Sequence, residues 1–186
     1  NNADKLTGKI LWDNGPGYSG YSSPVRLEID RQPCFAFVSG HEVVAAQIAD
    51  GHVRWKIPWR TTWDQNASDV IVSDGRLFVS SGHGVGCALF DLSTGLPAEV
   101  WRSKNMRTYL SNCVLWKSLL FGFDDKQLRC LDWRTGEVRW SSPKIGLGSL
   151  ILADERLIVL QEDGTLRIVE ATGNAYRSVA EVKILA

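Results

Sequence analysis

Short apolar runs recur along the whole chain, each bounded by Gly, Asp or Ser, and no segment carries a sustained 3.6-residue apolar period. The stretch from Ser68 to Trp101 shows the pattern most clearly. Ser68-Asp69-Val70-Ile71-Val72 is followed by the turn Ser73-Asp74-Gly75, then by Arg76-Leu77-Phe78-Val79-Ser80 and the Gly-rich turn Ser81-Gly82-His83-Gly84. Cys87-Ala88-Leu89-Phe90-Asp91 follows, the chain turns at Thr94-Gly95, and Glu99-Val100-Trp101 closes the unit. Apolar runs of this length between turn residues read as strands joined by hairpins. Cys113 to Leu131 and Leu150 to Val169 repeat the scheme, so the expected class is all-β.

A second pattern overlies the first. Asp4-Lys5-Leu6-Thr7-Gly8 leads to Trp12, Ala49-Asp50-Gly51 to Trp55, Asp91-Leu92-Ser93-Thr94-Gly95 to Trp101, and Asp132-Trp133-Arg134-Thr135-Gly136 to Trp140. A fifth copy, Glu170-Ala171-Thr172-Gly173, lacks the Trp. The glycines stand at 8, 51, 95, 136 and 173, at intervals of 43, 44, 41 and 37. Four short strands in a period near 40 describe one blade of a β-propeller. The spacing predicts a leading outer strand over 9–13 and four-stranded antiparallel blades over about 20–58, 66–102, 109–141 and 148–185.

Each part of the motif has a physical task. The Gly supplies a backbone conformation closed to residues with a Cβ, and the Asp accepts hydrogen bonds from the amides of the turn. The Trp of the outer strand then lies over the neighbouring blade and buries a large ring. Gly8, Trp12, Gly51, Trp55, Gly95, Trp101, Gly136 and Trp140 are therefore expected to dock blade to blade rather than to form a ligand cage.

Composition narrows the function classes. The 21 basic residues balance 21 acidic ones among 186, scattered without runs, which argues against nucleic acid or a polybasic membrane contact. No apolar stretch is long enough to span a bilayer. The chain opens on Asn1-Asn2-Ala3 rather than Met, so the absence of a leader says nothing about compartment. Cys34, Cys87, Cys113 and Cys130 lie far apart without metal spacing, and read as buried thiols, though three disulfide pairings remain open. His41, His52 and His83 sit in or beside turns without a partner at metal spacing. Gly82-His83-Gly84-Val85-Gly86 joins strand to strand, whereas a phosphate-cradling loop opens a helix.

Asp132-Trp133-Arg134-Thr135-Gly136-Glu137-Val138-Arg139-Trp140 resembles the tryptophan-docking motif of PQQ-like propeller repeats. Gly20 to Val25, Trp55 to Trp59, Ser80 to Leu89, Gly148 to Asp154 and Glu162 to Leu166 extend the likeness to bacterial proteins of that family. The resemblance covers nearly the whole chain. It implies a closed ring of seven or eight blades, of which about four are present here, in a protein exported to the periplasm or beyond. Either the remaining blades of a longer protein or a second copy would cover the end faces, and the leading outer strand favours the first. Some relatives are quinoprotein alcohol dehydrogenases, and one is an outer-membrane assembly lipoprotein that binds no cofactor. A quinoprotein would hold PQQ against a calcium ion with Glu, Asn or Asp oxygens and use an Asp as general base. Asp64 with Asn66, or Asp69 with Asn112, are the candidates for those roles. The adjacent cysteines often found over that cofactor have no match here, and the expectation is a scaffold or binding module without cofactor.

The loops from each outer strand to the next inner strand are the expected binding face. They carry Asn14 to Tyr21, Trp59 to Asn66, Asn105 to Tyr109 and Lys144 to Gly148. Tyr21, Trp59, Arg60, Trp63, Asp64, Asn66, Arg107 and Tyr109 are the candidate ligand contacts, since aromatics beside Arg and Asp both stack and hydrogen-bond a peptide or glycan.

Overall fold

In a computed structural model describing residues 2–14 and 17–185, the described residues form strands and turns and no helix. Gly15 and Pro16 of the first loop, and Asn1, lie outside the described residues. Blade 1 comprises β3 (Val25–Ile29), β4 (Gln32–Val38), β5 (Glu42–Gln47) and β6 (Val53–Pro58). Blade 2 comprises β7 (Ile71–Ser73), β8 (Arg76–Ser81), β9 (Gly86–Asp91) and β10 (Ala98–Ser103). Blade 3 is β11 (Val114–Trp116), β12 (Leu119–Asp124), β13 (Gln127–Asp132) and β14 (Val138–Ser141). Blade 4 is β15 (Gly148–Ala153), β16 (Arg156–Gln161), β17 (Thr165–Glu170) and β18 (Ser178–Lys183). Each is an antiparallel meander with strands in sequence order. The inner strand of blade 2 begins later than the sequence suggests, because Ser68 and Asp69 bond to the loop of the next blade instead of to β8.

The leading outer strand expected over 9–13 has a partner in its own segment. β1 (Asn2–Ala3) pairs antiparallel with β2 (Ile10–Trp12) across the Asp4–Gly8 turn. This pair stands against blade 1 and encloses with it a groove of about 950 Å³ over Phe35, Phe37 and Val44.

Three apolar clusters fill the joints between consecutive blades. Leu27, Ala36, Val43 and Trp55 of blade 1 meet Leu77, Val79 and Phe90 of blade 2. Phe78, Cys87 and Leu89 meet Leu120 and Leu131 of blade 3, and Phe121, Phe123 and Cys130 meet Leu157, Val159 and Val169 of blade 4. The middle strands β5, β9 and β12 are therefore buried on both faces, which is why they read as unbroken apolar runs. The four cysteines are buried free thiols; burial raises all four, Cys130 to about 12.

The first hairpin of every blade has the same geometry. Asp30-Arg31, Asp74-Gly75, Lys117-Ser118 and Asp154-Glu155 each place two residues at positive φ, the form whose twist matches a two-residue hairpin. Lys117 and Glu155 bridge two of these hairpins at 2.6 Å, an exposed pair across neighbouring blades.

Three of the motif tryptophans bridge to the following blade. Trp12 Nε1 donates to the Ile48 carbonyl at 2.9 Å, Trp101 Nε1 to Trp133 at 3.1 Å, and Trp140 Nε1 to Thr172 at 2.6 Å. A Cβ added at Gly51 would come within 2.5 Å of the Trp12 ring, and one at Gly136 within 2.6 Å of the Trp101 ring. Asp4 receives the amides of Leu6 and Thr7 as the motif requires, and these bonds hold its carboxyl below the usual range, the Thr7 amide foremost. Gly8 has no ring over it among the described residues.

Trp55 does not follow the expectation of docking on Gly95. The turns ending at Gly8, Gly51 and Gly136 close through an amide bonded to the carbonyl four residues back. The third turn is tighter, and Gly95 N–H takes the Leu92 carbonyl, three residues back. That carbonyl corresponds to Ile48 and Trp133, the acceptors of Trp12 and Trp101, but it receives no bond from Trp55. Its Nε1 is buried without a partner, and Asp30, held by Arg54, lies against Gly95 instead. The indole bridging blades 1 and 2 is Trp59, whose Nε1 donates to Ser81 Oγ at 2.9 Å beneath the Arg102 guanidinium. Removing an unpaired buried donor costs nothing in hydrogen bonding, whereas removing a paired one costs about 1 kcal/mol. Trp101→Phe is thus expected to lower stability in urea by about 1 kcal/mol more than Trp55→Phe. Equal losses would show that the Trp101 bond contributes nothing.

Candidate functional site

The loops entering blades 2, 3 and 4 are each tied to the blade they enter by the polar residue that ends its second strand. At the first joint the residue is Ser81 of blade 2 together with Ser39 of blade 1. Asn66 Nδ2 donates to the carbonyls of Ser39 (2.9 Å), Gly40 (3.1 Å) and Trp59 (3.2 Å), while its Oδ1 accepts from Ser81 Oγ at 2.7 Å. The Asn66 carbonyl accepts the Tyr21 amide at 2.9 Å. Both the donor and the acceptor end of the Asn66 side-chain amide serve this network in a fully buried position.

The second joint uses hydroxyls. Ser68 Oγ bonds Thr108 Oγ1 at 2.6 Å and the Ser111 carbonyl at 2.7 Å, and Ser80 bonds Thr108 and the Met106 carbonyl. The same loop reaches into blade 3, where Arg107 grips Asp124 with Nε (2.7 Å) and Nη2 (2.9 Å), and Arg129 Nη1 adds a contact at 2.7 Å. Asp124 is 1% exposed, and its hydrogen bonds raise the Arg107 guanidinium above its ordinary value. In blade 4 the corresponding residue is Gln161, which donates to the Ile145 carbonyl and accepts from Arg167.

Rings project from this rigid base. Tyr21 is 76% exposed, Trp63 71% and Leu110 87%. The Tyr18 ring stacks on His41 with centroids 3.5 Å apart, and His41 Nε2 lies 3.0 Å from Asp64 Oδ1. Arg60 Nε bonds the same oxygen at 3.0 Å, and His41 first, then Arg60, hold the Asp64 carboxyl below the usual range. Tyr109 lies over Gly82, edge-on to His83 at 5.1 Å.

Of the eight candidate contacts, Tyr21, Arg60, Trp63 and Tyr109 reach solvent, and Arg107 and Asp64 are partly exposed but paired. Trp59 and Asn66 are corrected to structural residues, because both are buried with their polar groups satisfied inside the protein. Sequence reasoning missed Tyr18, His41, Leu110 and the Ser39, Ser81, Asp124 and Gln161 series. A polar residue at the same repeat position at the end of an apolar strand was the available signal.

The residues suggested for calcium are already engaged by other protein groups. Asp64 is engaged by His41 and Arg60, Asn66 is buried, and Asp69 and Asn112 bond each other at 2.9 Å. Among the described residues no three His, Cys, Asp or Glu gather around a common point. The residues present do not fit a calcium-held quinone.

The repeat model described as outer membrane protein assembly factor BamB, a PQQ-like repeat, matches residues 2–142. The chain belongs to this PQQ-like repeat family. BamB from Moraxella catarrhalis shares its fold with a TM-score of 0.77 at 16% identity, over 98% of this chain and 57% of that one. Quinohemoprotein alcohol dehydrogenase ADHIIG from Pseudomonas putida HK5 superposes with a TM-score of 0.66 at 13% identity, over 94% of this chain and 36% of that one. The computationally designed Ika4 protein is matched over 100% of its own chain and 89% of this one, with a TM-score of 0.60 and 14% identity. The chain thus spans little more than half of BamB. No curated protein matches it in sequence. At such identities the likeness to these structures is one of fold, common to an assembly factor and an oxidoreductase.

Proposed function

We propose that this chain is a protein-docking segment of an exported bacterial propeller, with the inter-blade rim as its contact face. The supporting observation is the set of solvent-facing rings, Tyr18, Tyr21 and Trp63 on two successive loops, carried by fully bonded buried polar groups. Exposed aromatics held at low conformational cost are what protein interfaces use as anchors. No helix of the structure is long and apolar enough to cross a membrane, and the rim carries both signs of charge. The BamB description in the family adds an assembly role at the outer membrane as the setting in which such a surface would work.

The test is site-specific photo-crosslinking in source cells, with a benzophenone amino acid at Trp63 or Tyr21 of the full-length protein. Discrete protein adducts from these positions, absent when the probe replaces Lys5 in the Asp4–Gly8 turn, are the expected result. No adduct from either rim position would overturn the reading, and fractionation of the same cells tests export. In parallel, PQQ with calcium is titrated into the full-length protein while tryptophan fluorescence is followed. No saturable change is expected, and stoichiometric binding would return the chain to the dehydrogenase reading.

A further inference from the structure

The geometry points to a socket between blades 3 and 4 on the rim that receives one aromatic side chain with a neutral polar tip from a protein partner. This inference rests on the rim being a protein-docking face.

The three joints differ in what the entering loop supplies. At the first, Asn66 and Asp64 cover the turn after β4, reaching Ser39, Gly40 and His41. At the second, Thr108 bonds Ser80, and the Tyr109 ring covers Gly82 so closely that a Cβ there would meet it at 2.7 Å. At the third, the loop brings Gly146-Leu147-Gly148 to the turn at Asp125 and Lys126, held through the Ile145 amide on the Lys126 carbonyl at 2.9 Å. Phe123 and the Leu160 carbonyl fill the side-chain space at Gly148, no ring from the loop covers the turn, and a recess of about 420 Å³ lies beside it. Phe123, Leu110 and Leu147 wall it, and Arg107, Asp125 and Glu162 stand at its edge.

The chain itself shows what closes such a joint, since one blade earlier the occupant is a tyrosine. The apolar side of the recess, chiefly Leu110 and Leu147, suits a ring, which gains from edge and face contacts. The edge selects the tip. A carboxylate would meet Asp125 and Glu162, and an ammonium would meet Arg107, whose charge is only partly offset by the Asp124 that Arg129 shares. A hydroxyl both donates and accepts, so it satisfies either neighbour without an opposed charge.

The test is a heteronuclear NMR titration of the full chain with N-acetyl-L-tyrosinamide, against the corresponding lysine, glutamate and alanine amides. Saturable shifts at the amides of Asp125, Leu147, Gly148 and Glu162 are expected, with the tyrosine compound binding about tenfold more tightly than the others. Ser149→Trp, at the exposed lip, is expected to abolish the shifts while the remaining spectrum is retained. If that variant does not fold, Leu110→Ala on the opposite wall is expected to weaken binding several-fold. Absent shifts, shifts centred on Tyr21 and Trp63, or equal response to all four compounds would overturn the socket. Crosslinking from Trp63 would be unaffected by that failure, so the two readings fall separately.

Discussion

Asp124→Asn is expected to destabilise the chain by about 3–5 kcal/mol, the range found when one partner of a buried charge pair is removed. The carboxylate is 1% exposed and takes three contacts from two guanidiniums. Without its charge, Arg129 is left in a mostly buried site where its Nε already lacks a partner. Arg107 reaches solvent and can rehydrate, so Arg107→Ala is expected to cost less than the asparagine change. The readout is the midpoint and slope of urea unfolding. A loss below about 1 kcal/mol for Asp124→Asn, the level of an ordinary surface pair, would show that the triad is not holding blade 3 to its loop. The double variant Asp124→Leu with Arg129→Leu is expected to recover part of the loss, because an apolar pair carries no desolvation cost.

The second large effect separates backbone strain from blade docking. Gly8 and Gly136 have almost the same φ, 70° and 71°, at the same place in the repeated turn. Alanine at either position meets the left-handed penalty of about 1–2 kcal/mol. At Gly8 the added methyl enters open space, whereas at Gly136 it would lie 2.6 Å from the Trp101 ring. That ring must move and give up its bond to the Trp133 carbonyl, so Gly136→Ala is expected to cost about 1–3 kcal/mol more than Gly8→Ala. Equal losses in urea unfolding would mean that the ring is not packed on the turn, and would leave only strain as the reason for glycine.

The rim was partly legible in the sequence. Tyr21, Arg60, Trp63 and Tyr109 are exposed where their loops place them, because a polar or aromatic residue between two strands of adjacent blades has little else to pack on. Trp59 and Asn66 lie in the same loop with the same composition, yet they turn inward. Their direction depends on Ser81 and on the carbonyls of Ser39 and Gly40, which come from two other strands. No local pattern distinguishes them from their exposed neighbours.

The all-β class, the four-stranded blades and the glycine turns followed from the chain alone, because periods of two and of about 40 residues are properties of covalent order. The Asp74-Gly75 hairpin was readable for the same reason. Asp30-Arg31, Lys117-Ser118 and Asp154-Glu155 adopt that turn without the glycine signal, since the pairing of flanking strands overrides the penalty of a positive φ. Trp55 shows the opposite limit. Its motif is intact, but the turn it should meet in the next blade is tighter, with Gly95 bonded to Leu92, and its Nε1 has no partner. The sequence determined which residues repeat. Which repeats dock, and which side chains reach solvent, were decided by contacts between blades far apart in the chain, which no local pattern encodes.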